Sequence, residues 1–188
     1  MFTNILSITN LQLWEKKLEL SDSSDNIQTE FEIETIDQKT CQKLAIQNQW
    51  EANFTTAISG ILEFSDICFV AKKAGSLVHW THVTFKSVYI AEIGKKIVLD
   101  SGSAYLFGIF TNKHNRKSGI ASAVIQKVTA YLAGKGTKKV YIIIDSHNNS
   151  ITKIITKAGF TQIGAVKFVK MGKLKIYSYK GAIKDFLV

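Results

Sequence analysis

Apolar and polar residues follow three different rhythms along this chain, and each predicts a different kind of element. In Met1 to Leu20 the apolar side chains Leu11, Trp14 and Leu18 recur three or four residues apart, which predicts a short amphipathic helix. A polar run, Ser21 to Asn26, reads as a loop or linker. Phe31 and Ile33 then alternate with Glu30, Glu32 and Glu34, the period-two pattern of a strand with one wet face. From Asp37 to Glu63 the helical spacing returns through Trp50, Phe54, Ile58 and Ile61 or Leu62, for one long helix or two short ones.

The remaining residues read as strands and helices in mixed order. Ile67 to Ala71 and Leu77 to Phe85 form a predicted hairpin turning at Lys72 to Ser76. Lys86 to Ser103 reads as loop and hairpin. A strand, Ala104 to Thr111, runs through the polar turn Asn112 to Ser118 into a helix from Gly119 to Ala133, with Ile120, Val124, Val128 and Leu132 on one face. Another strand, Lys139 to Asp145, leads to a helix ending near Lys157 and to two closing strands, Gln162 to Met171 and Leu174 to Lys180. This succession predicts an α+β, α/β-like single domain, residues 29–188, preceded by a helical or mobile extension, residues 1–28.

The 188 residues suffice for one core, and 46% of them are hydrophobic, which argues against intrinsic disorder. No apolar run reaches the roughly 18 residues of a membrane span, and Cys41 and Cys68 make no disulfide framework, so a cytoplasmic protein is expected. Charge is divided unevenly. Residues 1–66 hold 4 Lys against 11 acidic residues, a balance of −7, whereas residues 67–188 hold 20 basic against 4 acidic, a balance of +16. The basic part suits a polyanion: a nucleic acid, an anionic surface or a small polyphosphate ligand. Of the basic residues only Arg116 is Arg, and no nucleic-acid-reading motif is present, so a basic nucleic-acid-binding module is the disfavoured alternative.

Ile109 to Val128 carries the most chemistry. A strand here feeds the loop RKSGIA, which opens directly into a helix, so that backbone N–H groups near Lys117 to Ala121 converge beside the positive end of the helix dipole. That arrangement suits a pyrophosphate. Gly119 lets the backbone approach without a Cβ, Ala121 does nearly the same, and Arg116 and Lys117 add charge. The plainer reading is a cationic surface loop. The pattern is neither a P-loop nor a dinucleotide fingerprint.

Arg116, Gly119 and Ala121, set between strand and helix, resemble the (Q or R)xxGx(G or A) acyl-CoA motif of the GNAT superfamily of N-acyltransferases. The resemblance continues in order: the strand Val140 to Ile144, then Asn148, then a helix closing on Lys157, Gly159 and Phe160, with Asn148 standing 11 residues before Gly159. It is good from Ile67 to Tyr179 and looser from Phe31 to Glu63. It implies a mixed, mostly antiparallel sheet that splays at the acyl-CoA site, with helices on both faces. The backbone of Ile109, Phe110 and Thr111 would pair with the pantetheine arm. The phosphates would lie on Arg116, Lys117, Ser118, Gly119, Ile120, Ala121 and Ser122, with Asn148 closing the other side. The implied co-substrate is acyl-CoA, acetyl-CoA first, and the partner an amine of a small molecule, peptide or protein. A homodimer is compatible with the sequence, and no metal is implied.

Acid and base are harder to place. Where many members carry a Glu on the strand before the loop, this chain has Leu106, Phe107 and Gly108, and where many carry a Tyr it has Ile155. His79, His82 and His147 are the candidate groups titrating near neutrality, each weighed against a purely structural role. The two missing groups keep a third function open, a GNAT-fold protein that binds acyl-CoA without turnover. The acidic first part of the chain, Glu30, Glu32 and Glu34 included, is expected to wall the acceptor side and favour cationic amines, or else only to solvate a strand.

Overall fold

A computed structural model describes residues 6–23, 29–37, 39–40, 43 and 65–188. The helical expectation for Asp37 to Glu63 lies almost wholly outside them. Ten strands are described: β1 (Leu6–Lys17), β2 (Glu32–Ile36), β3 (Ile67–Lys73), β4 (Ser76–Thr84), β5 (Val88–Ile90), β6 (Lys95–Ile97), β7 (Ser103–Thr111), β8 (Lys139–Asp145), β9 (Thr161–Met171) and β10 (Leu174–Gly181). Helix α1 (Ile120–Gly134) links β7 to β8, α2 (Asn149–Lys157) links β8 to β9, and the single turn α3 (Ile183–Phe186) follows β10. Eight strands form one sheet in the order β10-β9-β1-β8-β7-β4-β3-β2, while β5 and β6 make a separate hairpin. Within the large sheet the β7–β8 pair is parallel and the rest are antiparallel. A right-handed helical crossover is the usual way to join such a parallel pair, and α1 supplies the crossover helix. The α+β expectation holds.

Two apolar clusters lie on the sheet's two faces. On one, Ile120, Val124, Val128 and Leu132 of α1 pack on Val140, Ile142 and Ile144 of β8, joined by Ile155 of α2. On the other, Tyr105, Tyr141, Val166 and Phe168 pack against Val88, Ile93 and Ile97 of the small hairpin and Ile183 of α3. Because β8 is covered on both faces, it reads as an unbroken apolar run rather than an alternating one.

The N-terminal segment is a correction to the sequence reading. Residues 6–17 are strand, not helix, and pair with β8 on one side and β9 on the other. They are a central part of the sheet. A strand buried on both faces places apolar residues at Leu11 and Leu13 toward one cluster and Trp14 toward the other. With Leu18 packed just beyond, that two-sided burial imitates the three- and four-residue spacing of a helix.

Candidate active site

Strands β7 and β8 run side by side only as far as Leu106 opposite Ile142. Beyond that pair they diverge, beside an irregularity in β7. Between the pairs His82–Phe107 and Trp80–Phe110, β4 spends one residue and β7 spends two. Gly108, at φ 57°, occupies the left-handed region within this bulge, a conformation glycine adopts at least cost. The bulge falls just past the last residue at which β7 pairs with β8.

The gap holds a cleft of about 600 Å³. Its walls come from both faces of the sheet: Ile109, Ile142, Ile144 and Ile151 from the α1–α2 side, and Tyr105, Phe107, Ile143 and the hairpin residues 88–92 from the other. The opening therefore passes between the strands and connects the two faces. A ligand approaching from the helical side can present its end to a second ligand on the hairpin side.

One edge of the cleft offers backbone. The Asn112 N–H donates to the Val78 carbonyl at 2.9 Å, so by alternation the Thr111 N–H points away from β4, on the side of β7 where Ile109 lines the cleft. Arg116 folds back at this end, its Nε donating to the Thr111 carbonyl at 3.1 Å and its guanidinium 5.7 Å from the Phe110 ring centre. Phe110 itself stacks on Trp80.

The loop after β7 is built from local bonds. The Ser118 hydroxyl donates to the Asn115 carbonyl at 2.5 Å, and Lys117 and Gly119 take φ of 65° and 85°. Gly119 is the N-cap of α1 and has no side chain with which to cap it, so the amides of Ile120, Ala121 and Ser122 receive no side-chain cap from that position. A Cβ placed on Gly119 would meet nothing within 4 Å, so open space lies above these amides. Lys117, Ser118 and Gly119 are exposed, while Ile120 is buried as the first apolar anchor of the helix. Across the cleft Asn148 caps α2, its side chain accepting from the Ile151 N–H at 3.3 Å, and Asn148 and Ile151 both line the cleft.

The three histidines separate. His79 is buried, with Nδ1 2.8 Å from the Thr111 hydroxyl and Nε2 2.8 Å from that of Thr81, and burial lowers its pKa to about 3. His82 is buried against Phe107, with Nδ1 3.1 Å from the Ser65 hydroxyl, and burial lowers its pKa to about 4. Neither lines the cleft. His147 is exposed, its Nδ1 2.9 Å from a carboxylate oxygen of Asp145, and that contact with the His147 N–H holds the Asp145 pKa below its ordinary value.

Four ionisable groups on the cleft wall escaped the sequence reading: Tyr89, Glu92, Tyr105 and Asp145. Tyr105 is 4% exposed and stands just before the point where β7 and β8 part. Burial pushes its pKa up, the hydrogen bond with the Ile143 backbone works against that, and the Glu92 charge adds a lesser push up, so the hydroxyl keeps its proton and can act as a donor at the apex of the fork. Glutamates 30 and 34, by contrast, lie at the far edge of the sheet, paired with Lys73 and Lys72. Neither is among the residues that line the cleft, so of the two expectations for these glutamates the structure favours a solvated strand edge over an acceptor wall.

A parallel pair that parts beside a bulge, followed in the chain by a helix with an uncapped N-terminus, leaves a cleft in an α+β sheet. The chain belongs to the GNAT acetyltransferase family, whose sequence model matches residues 28–160. It is similar in fold to a putative GNAT acetyltransferase from Novosphingobium aromaticivorans (TM-score 0.60, 13% identity, 94% of this chain and 66% of that one). It is also similar to a GNAT-family acetyltransferase from Colwellia psychrerythraea (TM-score 0.54, 17% identity, 95% and 57%) and to the ribosomal-protein-S18-alanine N-acetyltransferase from Escherichia coli (0.53, 13%, 69% and 76%). At these identities the likeness concerns the fold. The chain spans about half to two-thirds of the length of several solved structures it matches, with 52%, 66% and 64% of them covered. No curated protein matches it in sequence. Among the described residues no helix is long and apolar enough to cross a membrane.

Proposed function

We propose that this chain transfers an acyl group, acetyl in the first instance, from acyl-CoA to a primary amine. The observation that supports the reading is the fork between β7 and β8, together with the uncapped amides after Gly119 at the end of the loop that leaves β7. A pyrophosphate on those amides gains both their hydrogen bonds and the helix dipole. From there the pantetheine arm pairs with the Ile109 and Thr111 backbone, opposite Asn148, and leads the thioester through the sheet. The amine attacks the thioester carbon, the C–S bond breaks, and the sulfur departs as a thiolate toward the Tyr105 hydroxyl. Holding both reactants in line supplies much of the rate, since effective molarity is worth up to about 7–11 kcal/mol of barrier. A sequence with only two cysteines and the use of acyl-CoA support action in the cytoplasm.

A second reading, acyl-CoA binding without turnover, is favoured by Ile155, a buried core residue where many members carry a tyrosine. Incubation with acetyl-CoA and a panel of amines, read by thiol release and by the mass of the product, decides between them. An acylated amine formed in step with free thiol is the expected result. Tight acetyl-CoA binding with neither product would select the silent reading, and absence of binding would contradict both.

A further inference from the structure

Residues 67–188 contain 20 basic residues and only 4 acidic ones, so chance would place lysines on the wall of any cleft they form. The opposite is found. Two of those four carboxylates, Glu92 and Asp145, line this cleft, and no lysine or arginine is among the described residues that do. Both carboxylates open on the hairpin face, away from α1: Asp145 stands opposite Leu11, which packs in the hairpin-side cluster.

Glu92 is also held in place. It sits at the turn between β5 and β6, where the Gly94 N–H donates to the Ile90 carbonyl at 2.9 Å. The next residue, Ile93, is 1% exposed, and the Tyr177 hydroxyl donates to its carbonyl at 2.8 Å. The base of the hairpin is tied to the C-terminus through the bonds of Lys96 with Val188. Glu92 is thus an exposed carboxylate on a fixed backbone, and among the described residues it has no ion-pair or hydrogen-bond partner. The other titratable groups on the cleft wall are Tyr89 on its own hairpin, Tyr105 from β7 and Asp145 at the end of β8, the last paired with His147, while Lys95 of β6 lies over the Tyr177 ring.

We infer that Glu92 is the base of this acyl transfer and that, with Asp145, it selects acceptors whose reacting group is a cationic amine at neutral pH. The inference rests on the acyl-CoA reading above. The two carboxylates concentrate the ammonium form at the mouth. The ammonium loses one proton to solvent to free its lone pair. As nitrogen bonds to the thioester carbon it becomes strongly acidic, and Glu92 takes the second proton. The C–S bond then breaks, and the thiolate recovers that proton from Glu92 through water, which returns the site to its starting charge. Asp145, occupied by His147, contributes field rather than proton transfer.

The test compares wild type, Glu92→Gln and His147→Ala, with acetyl-CoA as donor and spermidine, lysine methyl ester or glutamate as acceptor. Calorimetry of acetyl-CoA binding runs in parallel. Wild type should release thiol fastest with the two cationic acceptors. Glu92→Gln should lower kcat about 100-fold or more, in line with the usual contribution of a general base, with acetyl-CoA affinity unchanged. A loss of that size in His147→Ala, with Glu92→Gln unaffected, would make His147 the base and overturn the assignment. A Glu92→Gln enzyme with normal kcat and only a raised KM would reduce Glu92 to an anchor and overturn the assignment. So would a wild type that binds acetyl-CoA yet responds to neither cationic amine, or prefers glutamate. Failure to bind acetyl-CoA would instead strike the underlying reading.

Discussion

His79 shows how a residue type legible in sequence misleads about its role. A histidine on a strand beside the acyl-CoA loop has the right chemistry for a base, but its two ring nitrogens are both engaged by threonine hydroxyls and its pKa falls to about 3. It stays neutral through the catalytic range and acts on stability. A folded pKa of about 3, below the unfolded 6.5, means the unfolded chain binds the proton more readily, so the stability due to burying a neutral ring is present above pH 6.5 and is lost as pH falls toward 3. His82, at about 4, has the same sign. Between pH 7.5 and 5.5 each should remove about 1.4 kcal/mol, about 3 kcal/mol together. Urea unfolding at the two pH values checks this, and replacing either histidine with Gln should shrink the difference. An unchanged midpoint would show that the rings are not held neutral. Glu92 was illegible for the converse reason: nothing in a lone glutamate in a hairpin turn tells which way the turn leans, and only the packing of Ile93 and Tyr177 settles it.

At the scale of elements, the periodic segments around the loop were read well because α1 and α2 each bury one stripe, and β7 and β8 are bounded by polar turns. Of the motif residues Asn148 lines the cleft, while Arg116, Gly119 and Ala121 follow β7 in the loop and first turn of α1. Strand β1 was misread because a strand buried on both faces has no period-two signature. Its place between β8 and β9 has a consequence for stability. Deleting residues 1–18 would leave two strands with open edges and expose Ile142, Ile144 and Val166, so the truncated chain should show no cooperative thermal transition. A truncated chain that melts cooperatively and still binds acetyl-CoA would show that β1 is dispensable. Hairpin β5–β6, which carries Glu92, was only partly legible because its three-residue strands are shorter than the window over which alternation can be counted.

Over the whole molecule, the uneven charge is sorted by site rather than by domain. Glu30 and Glu34 are spent on Lys73 and Lys72 at the sheet edge, while Arg116, Lys117 and the open amides follow β7 where a polyphosphate is proposed to bind, and Glu92 and Asp145 line the cleft where an amine would. One fork in the sheet, beside the bulge at Gly108, joins these two environments. The account therefore stands on acyl-CoA entering by the amides of α1. Titration calorimetry of acetyl-CoA against wild type and Gly119→Glu tests it most directly, with circular dichroism to show that the variant is folded. The substitution places a negative side chain in the open space above the Gly119 amide, at φ 85°. Wild type should bind one equivalent, more weakly as salt rises, and the folded variant should lose at least about 100-fold in affinity, the worth of a repulsive charge and a lost phosphate contact at about 3 kcal/mol. Equal affinity in the two proteins would place the ligand elsewhere and contradict the account.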